Sequence, residues 1–164
     1  MKHYPICTFK EFYVNAATAK AELKNWSSWK LWNTISRVEM DCEGGLSALY
    51  FETKPLPTVP RIQFVVSKES SVDSFVLDGL FETEQEINLQ WIITIKGKNR
   101  EQLLISTILL EGDFAAFYYE QYVIYLTRLL KIINRDFIQY LNHKYLDTKW
   151  LGEDHSLYGS YLRE

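Results

Sequence analysis

Residues 113–146 read DFAAFYYEQYVIYLTRLLKIINRDFIQYLNHKYL, about thirty positions without glycine or proline. Apolar side chains recur there every three or four residues, which is typical of one buried face of a helix. The repeating positions are Tyr122, Leu126, Leu129, Ile133, Phe137 and Leu141. We expect Asp113 to cap this helix and polar residues such as Asn134 to face solvent. At ~1.5 Å per residue the helix would be roughly 45 Å long, so a small domain can bury it only under a broad sheet. A sheet that grips one long helix usually encloses a cavity.

The middle of the chain predicts that sheet. Residues 87–96 alternate apolar and polar side chains with a period of two, and Gly44-Gly45 is a strong hairpin signal. The predicted strands cover residues 3–14, 37–43, 46–53, 62–66, 75–81, 87–96 and 102–110. Six or seven strands joined by short links indicate an antiparallel meander and an α+β fold class.

Two short helices are predicted after the first strand, over residues 16–23 and 25–35. Trp26, Trp29 and Trp32 follow one another at intervals of three in the second of them, so their indoles fall near one helical face. We expect these indoles to anchor the two helices in the core. A lid over the cavity or an exposed docking patch are the alternatives.

Composition limits the class of protein. The chain has 164 residues, 47% of them hydrophobic and 15% aromatic, which suits one globular domain. We place that domain at residues 1–146. The net charge of −3 lacks the basic excess of a nucleic-acid binder, so no nucleic-acid partner is expected. No apolar run reaches the ~20 residues that cross a bilayer, and the N-terminus has no secretion-signal pattern, so we expect a cytoplasmic protein without an integral membrane segment.

Residues 147–164 form a polar, glycine-containing tail with an unusual share of large apolar side chains. These are Trp150, Leu151, Leu157, Tyr158, Tyr161 and Leu162. Because such a composition is too apolar for a simple disordered segment, we expect the tail to pack back loosely on the domain.

Three short motifs make the sequence resemble a known superfamily. They are VNA at residues 14–16, WKLWNTI at residues 29–35, and the Gly44-Gly45 turn. With the order of predicted elements, they resemble the START-like superfamily, also called SRPBCC, which includes polyketide cyclases, lipid-transport proteins and the birch pollen allergen type. That superfamily usually has a proline where this chain has Ala17. The resemblance implies a helix-grip fold, in which a curved antiparallel sheet wraps around a long C-terminal helix.

The resemblance also implies a hydrophobic ligand between the sheet and the long helix. From the alternation of the strands and the stripe of the helix, we take as candidate lining the residues that should point inward. They are Phe64, Val66, Phe75, Leu77, Leu89, Trp91, Ile93, Tyr118, Tyr122, Leu126, Leu129 and Ile133. A core filled by its own side chains would have the same alternation, so that alternative stays open.

The sequence offers no catalytic constellation. His3, His143 and His155 lie near the termini, and no Ser, His and acid spacing suggests a triad. We interpret Cys7 and Cys42 as small core residues that could fall on adjacent strands. We expect no metal site, no cofactor and no catalytic residue. Binding of a lipid-like or aromatic molecule is therefore the first hypothesis, and a polyketide cyclase or dehydratase type of enzyme and a protein-interaction module are its alternatives.

Overall fold

The computed structural model describes residues 3–34, 36–51, 61–71, 74–82, 87–98 and 100–146. Strands and helices follow one another in the order that the sequence predicts. They are β1 (His3–Phe12), α1 (Ala16–Leu23), α2 (Trp26–Trp32), β2 (Ser36–Met40), β3 (Leu46–Phe51), β4 (Ile62–Val66), β5 (Ser74–Phe81), β6 (Asn88–Lys98), β7 (Glu101–Glu111) and α3 (Ala115–Tyr145). The helix-grip prediction is confirmed.

The sheet has seven antiparallel strands in the order β1-β7-β6-β5-β4-β3-β2. β1 and β2 therefore form its two opposite edges. This separates Cys7 on β1 from Cys42 just after β2, and both thiols are exposed. The expectation that they are core residues was wrong, because Cys7 lies between the buried Ile6 and Thr8 and so points to the outer face, while Cys42 lies in a turn.

A hairpin turn includes Gly44-Gly45 as the sequence predicts, but β2 ends at Met40 instead of residue 43, so the turn is longer than predicted and spans residues 41–45. One carboxylate oxygen of Asp41, Oδ1, accepts hydrogen bonds from the backbone N–H groups of Glu43 at 2.9 Å and Gly45 at 2.8 Å. Gly44 has φ of 86°, in the left-handed region that glycine enters without a steric cost. The turn joins β2 to β3, whose pairing shifts register between Glu39 and Met40, next to the turn.

α3 is 31 residues long and packs against β1 and β7. It begins one residue later than a helix capped by Asp113 would, since Phe114 occupies the N-cap position and makes no side-chain capping hydrogen bond. Gly112 takes a φ of 118° at the turn from β7, which brings the chain back over the sheet. In the part of the chain described, none of the helices combines the length and apolar character needed to span a membrane. The predicted tail, residues 147–164, lies outside the described residues.

α2 is shorter than predicted, ending at Trp32 instead of residue 35. Asn33 has an extended backbone, with φ of −87° and ψ of 114°, and β2 begins at Ser36. The sequence predicts a longer helix because the apolar Ile35 continues the spacing, but the chain already leaves the helical conformation at Asn33.

Gly79 on β5 faces the interior at a point where no side chain fits. A Cβ atom there would lie 2.6 Å from Cε1 of Phe64 and 2.8 Å from Cδ2 of Leu89. We expect Gly79→Ala to lower the free energy of unfolding by about 1–3 kcal/mol, the usual cost of overpacking a core. Urea denaturation checks this. In a Phe64→Leu background, Gly79→Ala should lower the free energy of unfolding by less. An unchanged urea midpoint for Gly79→Ala alone would show that the interior has room for a methyl group at this site.

Candidate functional site

The three tryptophans of α2 lie under the sheet. Trp26 is 7% exposed, Trp32 5% and Trp29 0%. The ring of Trp29 lies 4.9 Å from that of Trp26 and 4.8 Å from that of Trp32, and it meets Trp91 of β6 edge-on at 5.8 Å. Its Nε1–H donates to the backbone oxygen of Leu23 at 2.7 Å. The prediction that these indoles anchor the helices in the core is confirmed, and the lid and docking-patch alternatives were wrong.

These indoles belong to a larger group of touching rings, which we call the aromatic cluster. Its members are Trp26, Trp29, Trp32, Phe51, Phe64, Phe75, Trp91 and Phe137. Trp91 is its centre, because it contacts Phe51 at 5.2 Å, Phe64 at 5.5 Å and Trp29 at 5.8 Å. At this end of the interior, the rings of the cluster pack against one another.

The other end of the interior lies where α3 begins. The ring of Phe81 stacks on Tyr118 at 4.8 Å and on Tyr122 at 5.7 Å, and we call these three residues the tyrosine end. Tyr118 is buried and Tyr122 is half-buried. Burial, with a smaller contribution from the neighbouring Tyr118, raises the pKa of Tyr122. Burial also raises the pKa of Tyr125, one turn further along, to about 12. The Tyr122 and Tyr125 phenols are therefore protonated at neutral pH and are hydrogen-bond donors.

The predicted lining residues are buried, apart from Tyr122 and Val66. Val66 is 41% exposed, and its assignment to the lining stays a prediction. Its register opposite Leu77 is the inward one, but it is the last residue of β4, where the strand stops covering the interior. For the others, burial alone does not separate a ligand-lining role from a filled core, and the assignment stays a prediction.

A short chain of buried polar groups fastens α3 to the sheet. The hydroxyl of Ser106 on β7 donates to Oδ1 of Asn134 at 2.6 Å, and Nδ2 of Asn134 donates to the hydroxyl of Thr8 on β1 at 3.1 Å. Asn134 is 2% exposed, so the expectation that it faces solvent was wrong. The buried face of α3 contacts two neighbouring strands, β1 and β7, through Asn134. Because each side chain in this network has a hydrogen-bond partner, the network fixes the position of α3 along the sheet.

Two indole donors inside the aromatic cluster lack an acceptor. Nε1 of Trp91 and Nε1 of Trp32 are buried and make no hydrogen bond among the described residues. An unmade buried hydrogen bond costs about 1–3 kcal/mol, and native proteins contain few of them. Trp91 is 0% exposed at the middle of β6. The sequence predicts Trp91 as an inward-pointing residue, but no sequence pattern indicates that its indole N–H lacks an acceptor.

Glu22 is the centre of a second polar group that the sequence did not reveal. It is 5% exposed, on α1, and accepts hydrogen bonds from Lys144 Nζ at 2.6 Å, from Tyr140 Oη at 3.1 Å and from Tyr145 Oη. Burial raises the pKa of this carboxyl, but the hydrogen bonds from Lys144, Tyr145 and Tyr140 together outweigh burial, so the pKa is lowered. This group joins α1 to the end of α3.

Asp136 is the other buried carboxylate in the described part of the chain. Its Oδ2 accepts a hydrogen bond from the hydroxyl of Thr34 at 2.7 Å, and its Oδ1 forms an ion pair with Nη2 of Arg135 at 3.3 Å. Protein donors therefore occupy both Asp136 and Glu22. Over the described ranges, no three His, Cys, Asp or Glu side chains converge on a point that would hold a metal ion.

Comparisons with known proteins agree with this architecture. A START superfamily protein from Mycobacterium smegmatis has a TM-score of 0.51 and 12% identity, covering 81% of this chain and 95% of that chain. Norcoclaurine synthase from Thalictrum flavum, in complex with dopamine and hydroxybenzaldehyde, has a TM-score of 0.60 and 11% identity, covering 87% and 88%. CalU16 from Micromonospora echinospora has a TM-score of 0.55 and 6% identity, covering 84% and 73%.

At these identities the likeness establishes the fold alone. No protein-family model matches the sequence, and the search of curated proteins gives no match.

Proposed function

Because this chain has the helix-grip fold of the START-like superfamily, we propose that it binds an apolar, aromatic or lipid-like small molecule between the sheet and α3. The molecule carries an oxygen that accepts a hydrogen bond from Nε1–H of Trp91. Its rings or chain lie between that indole and the tyrosine end, where the half-buried phenol of Tyr122 adds a donor.

The unpartnered indole N–H of Trp91 is the observation that carries the proposal. It lies in an apolar interior where a donor without an acceptor is unfavourable, and a ligand oxygen would remove that cost. Ligand sites are typically apolar with a few polar groups that fix orientation, which is the composition here. Norcoclaurine synthase, with the same fold, holds dopamine and hydroxybenzaldehyde, which are aromatic molecules bearing oxygen.

Binding would work by removing apolar ligand surface from water. Each 100 Å² of buried apolar surface contributes about 2.5 kcal/mol, from which the cost of ordering the ligand is subtracted. Burial of apolar surface is non-directional, so the hydrogen bond to Trp91 would supply the specificity. A ligand that lacks the acceptor leaves the indole N–H without a hydrogen-bond partner. The result is sequestration or transport of the bound molecule.

An enzyme of the cyclase or dehydratase type would need a side chain that exchanges protons with the bound molecule. The buried carboxylates of Glu22 and Asp136 are held by protein donors. The raised pKa values of Tyr122 and Tyr125 keep these phenols protonated at neutral pH, so they suit donation of hydrogen bonds better than abstraction of protons. The geometry favours binding over catalysis.

Two probes that differ only in an acceptor test the proposal by calorimetric titration. We expect 2-acetylnaphthalene, which has a ketone oxygen, to bind about tenfold more tightly than 2-ethylnaphthalene, since one hydrogen bond contributes about 1.4 kcal/mol. Trp91→Phe should lower the affinity for the ketone to that of the hydrocarbon. The affinity for the hydrocarbon should change much less.

Trp32→Phe is the matched control, because Trp32 has the other unpartnered indole in the cluster. It should preserve the preference for the ketone. Equal affinities for the two probes, no saturable heat, or loss of the preference in Trp32→Phe instead of Trp91→Phe would each contradict the assignment.

A further inference from the structure

The outward face of α3 carries apolar and basic side chains in one line. At 100° per residue, these positions share an arc of about 60° on the helix. We call this set the outer stripe, and its members are Phe117, Ile124, Arg128, Lys131 and Arg135. Phe117 is 53% exposed and Ile124 is 68% exposed, and Arg128 and Lys131 are exposed as well. Exposed apolar side chains beside aligned cations indicate a contact surface.

The chemistry of the stripe has an order along the helix. From the C-terminal end of α3 backwards, the cations Lys131 and Arg128 come first, and Ile124 and Phe117 follow. Arg135 lies nearer the end and is already paired with Asp136 at 3.3 Å. A partner running back along the helix would therefore present acidic groups first and apolar groups afterwards.

Residues 153–161 of this chain have that order. Glu153 and Asp154 precede Leu157, Tyr158 and Tyr161. The acidic pair matches the cations of the stripe, and the three apolar side chains match its exposed apolar end. Both are parts of the same chain, so the local concentration of one at the other is high.

The lengths also agree. From residue 146, an extended chain rising roughly 3.3 Å per residue reaches Glu153 after about 23 Å and Leu157 after about 36 Å. α3, at ~1.5 Å per residue, reaches Lys131 after about 22 Å and Ile124 after about 33 Å. If the tail reverses direction after Leu146, its acidic pair meets the basic positions and its apolar part meets Ile124 and Phe117.

We propose that residues 153–161 dock on the outer stripe of α3 in an extended run antiparallel to the helix. Glu153 and Asp154 pair with Lys131 and Arg128, and the following aromatic residues cover Ile124 and Phe117. Docking brings Tyr158 and Tyr161 beside the start of α3, near the tyrosine end of the interior.

Amide hydrogen exchange of the full chain, measured by mass spectrometry at short labelling times, tests this docking. Amides of residues 153–161 should exchange at least about ten times more slowly than those of an unstructured chain. This protection should not depend on protein concentration. Arg128→Glu with Lys131→Glu should abolish the protection, and so should Ile124→Ser with Phe117→Ser. Adding Glu153→Lys and Asp154→Lys to the first pair should restore it.

Lys68→Glu with Lys96→Glu is the matched control, since it changes the net charge equally at exposed positions away from α3. It should leave the protection intact. Exchange of the wild-type tail at unstructured rates, or equal loss in the control pair, would overturn the proposal. Protection that rises with protein concentration would also overturn it, since the tail would then be docking on another copy. Vesicles of anionic phospholipid that bind the wild-type stripe without displacing the tail would likewise overturn it, because the stripe would then be a lipid surface.

Discussion

Trp29→Ala should lower the free energy of unfolding by about 3–5 kcal/mol, the range for removing a large buried aromatic side chain. Trp29 is 0% exposed, touches the rings of Trp26, Trp32 and Trp91, and donates a hydrogen bond to the backbone of Leu23. The substitution removes all of these contacts and leaves a cavity between α2 and β6. Urea denaturation followed by far-ultraviolet circular dichroism measures the loss.

Leu31→Ala on the same helix is the control for helix propensity. Leu31 is 77% exposed, so its truncation should change the free energy of unfolding by no more than about 0.5 kcal/mol. Comparable losses for Leu31→Ala and Trp29→Ala, or a loss below about 1 kcal/mol for Trp29→Ala, would contradict a core built around this indole.

Glu22→Gln should lower the free energy of unfolding at pH 7 by about 2 kcal/mol, because a neutral amide accepts weaker hydrogen bonds than a buried carboxylate. The three donors to Glu22, on Tyr140, Lys144 and Tyr145, hold the end of α3 against α1. Chemical denaturation of both proteins over a range of pH checks the size of the effect and its dependence on pH.

The sign of the pH dependence follows from the lowered pKa of Glu22 in the folded protein, relative to an ordinary value of 4.5. A carboxyl with a lowered folded pKa contributes stability that is fully present above its unfolded pKa. That contribution is lost as the pH falls through the folded pKa. The difference in the free energy of unfolding between the wild type and Glu22→Gln should therefore shrink as the pH falls below 4.5.

Glu39→Gln, at an exposed carboxylate, is the control for a general change in charge and should differ little from the wild type at any pH. A difference between Glu22→Gln and the wild type that stays constant into acid would mean that the carboxylate charge is not what stabilises the contact.

The sequence predicted those parts of the fold that depend on local patterns. The uninterrupted stretch before Leu146 gave the long helix, the alternation around Trp91 gave a central strand, and Gly44 gave the hairpin. Each of these signals lies within one element, where periodicity and backbone preference are sufficient. The number of strands and the two short helices followed from the same reasoning.

The remaining features depend on residues that are distant in the sequence. Glu22 meets Lys144 across 122 positions, and Asn134 meets Thr8 across 126. A pattern within one helix cannot show that a polar residue will find such a partner, so Asn134 was placed in solvent. The exposure of Val66 was not predictable for a related reason, since alternation gives the face of a residue but does not show how far other elements cover that strand.

The proposed binding depends on a ligand oxygen that accepts a hydrogen bond from Nε1–H of Trp91 inside the fold. Nitrogen-15 NMR of the indole N–H groups tests it most directly, with the Trp91 resonance assigned from Trp91→Phe. Adding 2-acetylnaphthalene should move the Trp91 resonance downfield in a saturable way and leave that of Trp29, already bonded to Leu23, nearly in place. A Trp91 resonance that does not move, or that moves equally with 2-ethylnaphthalene, would contradict the claim.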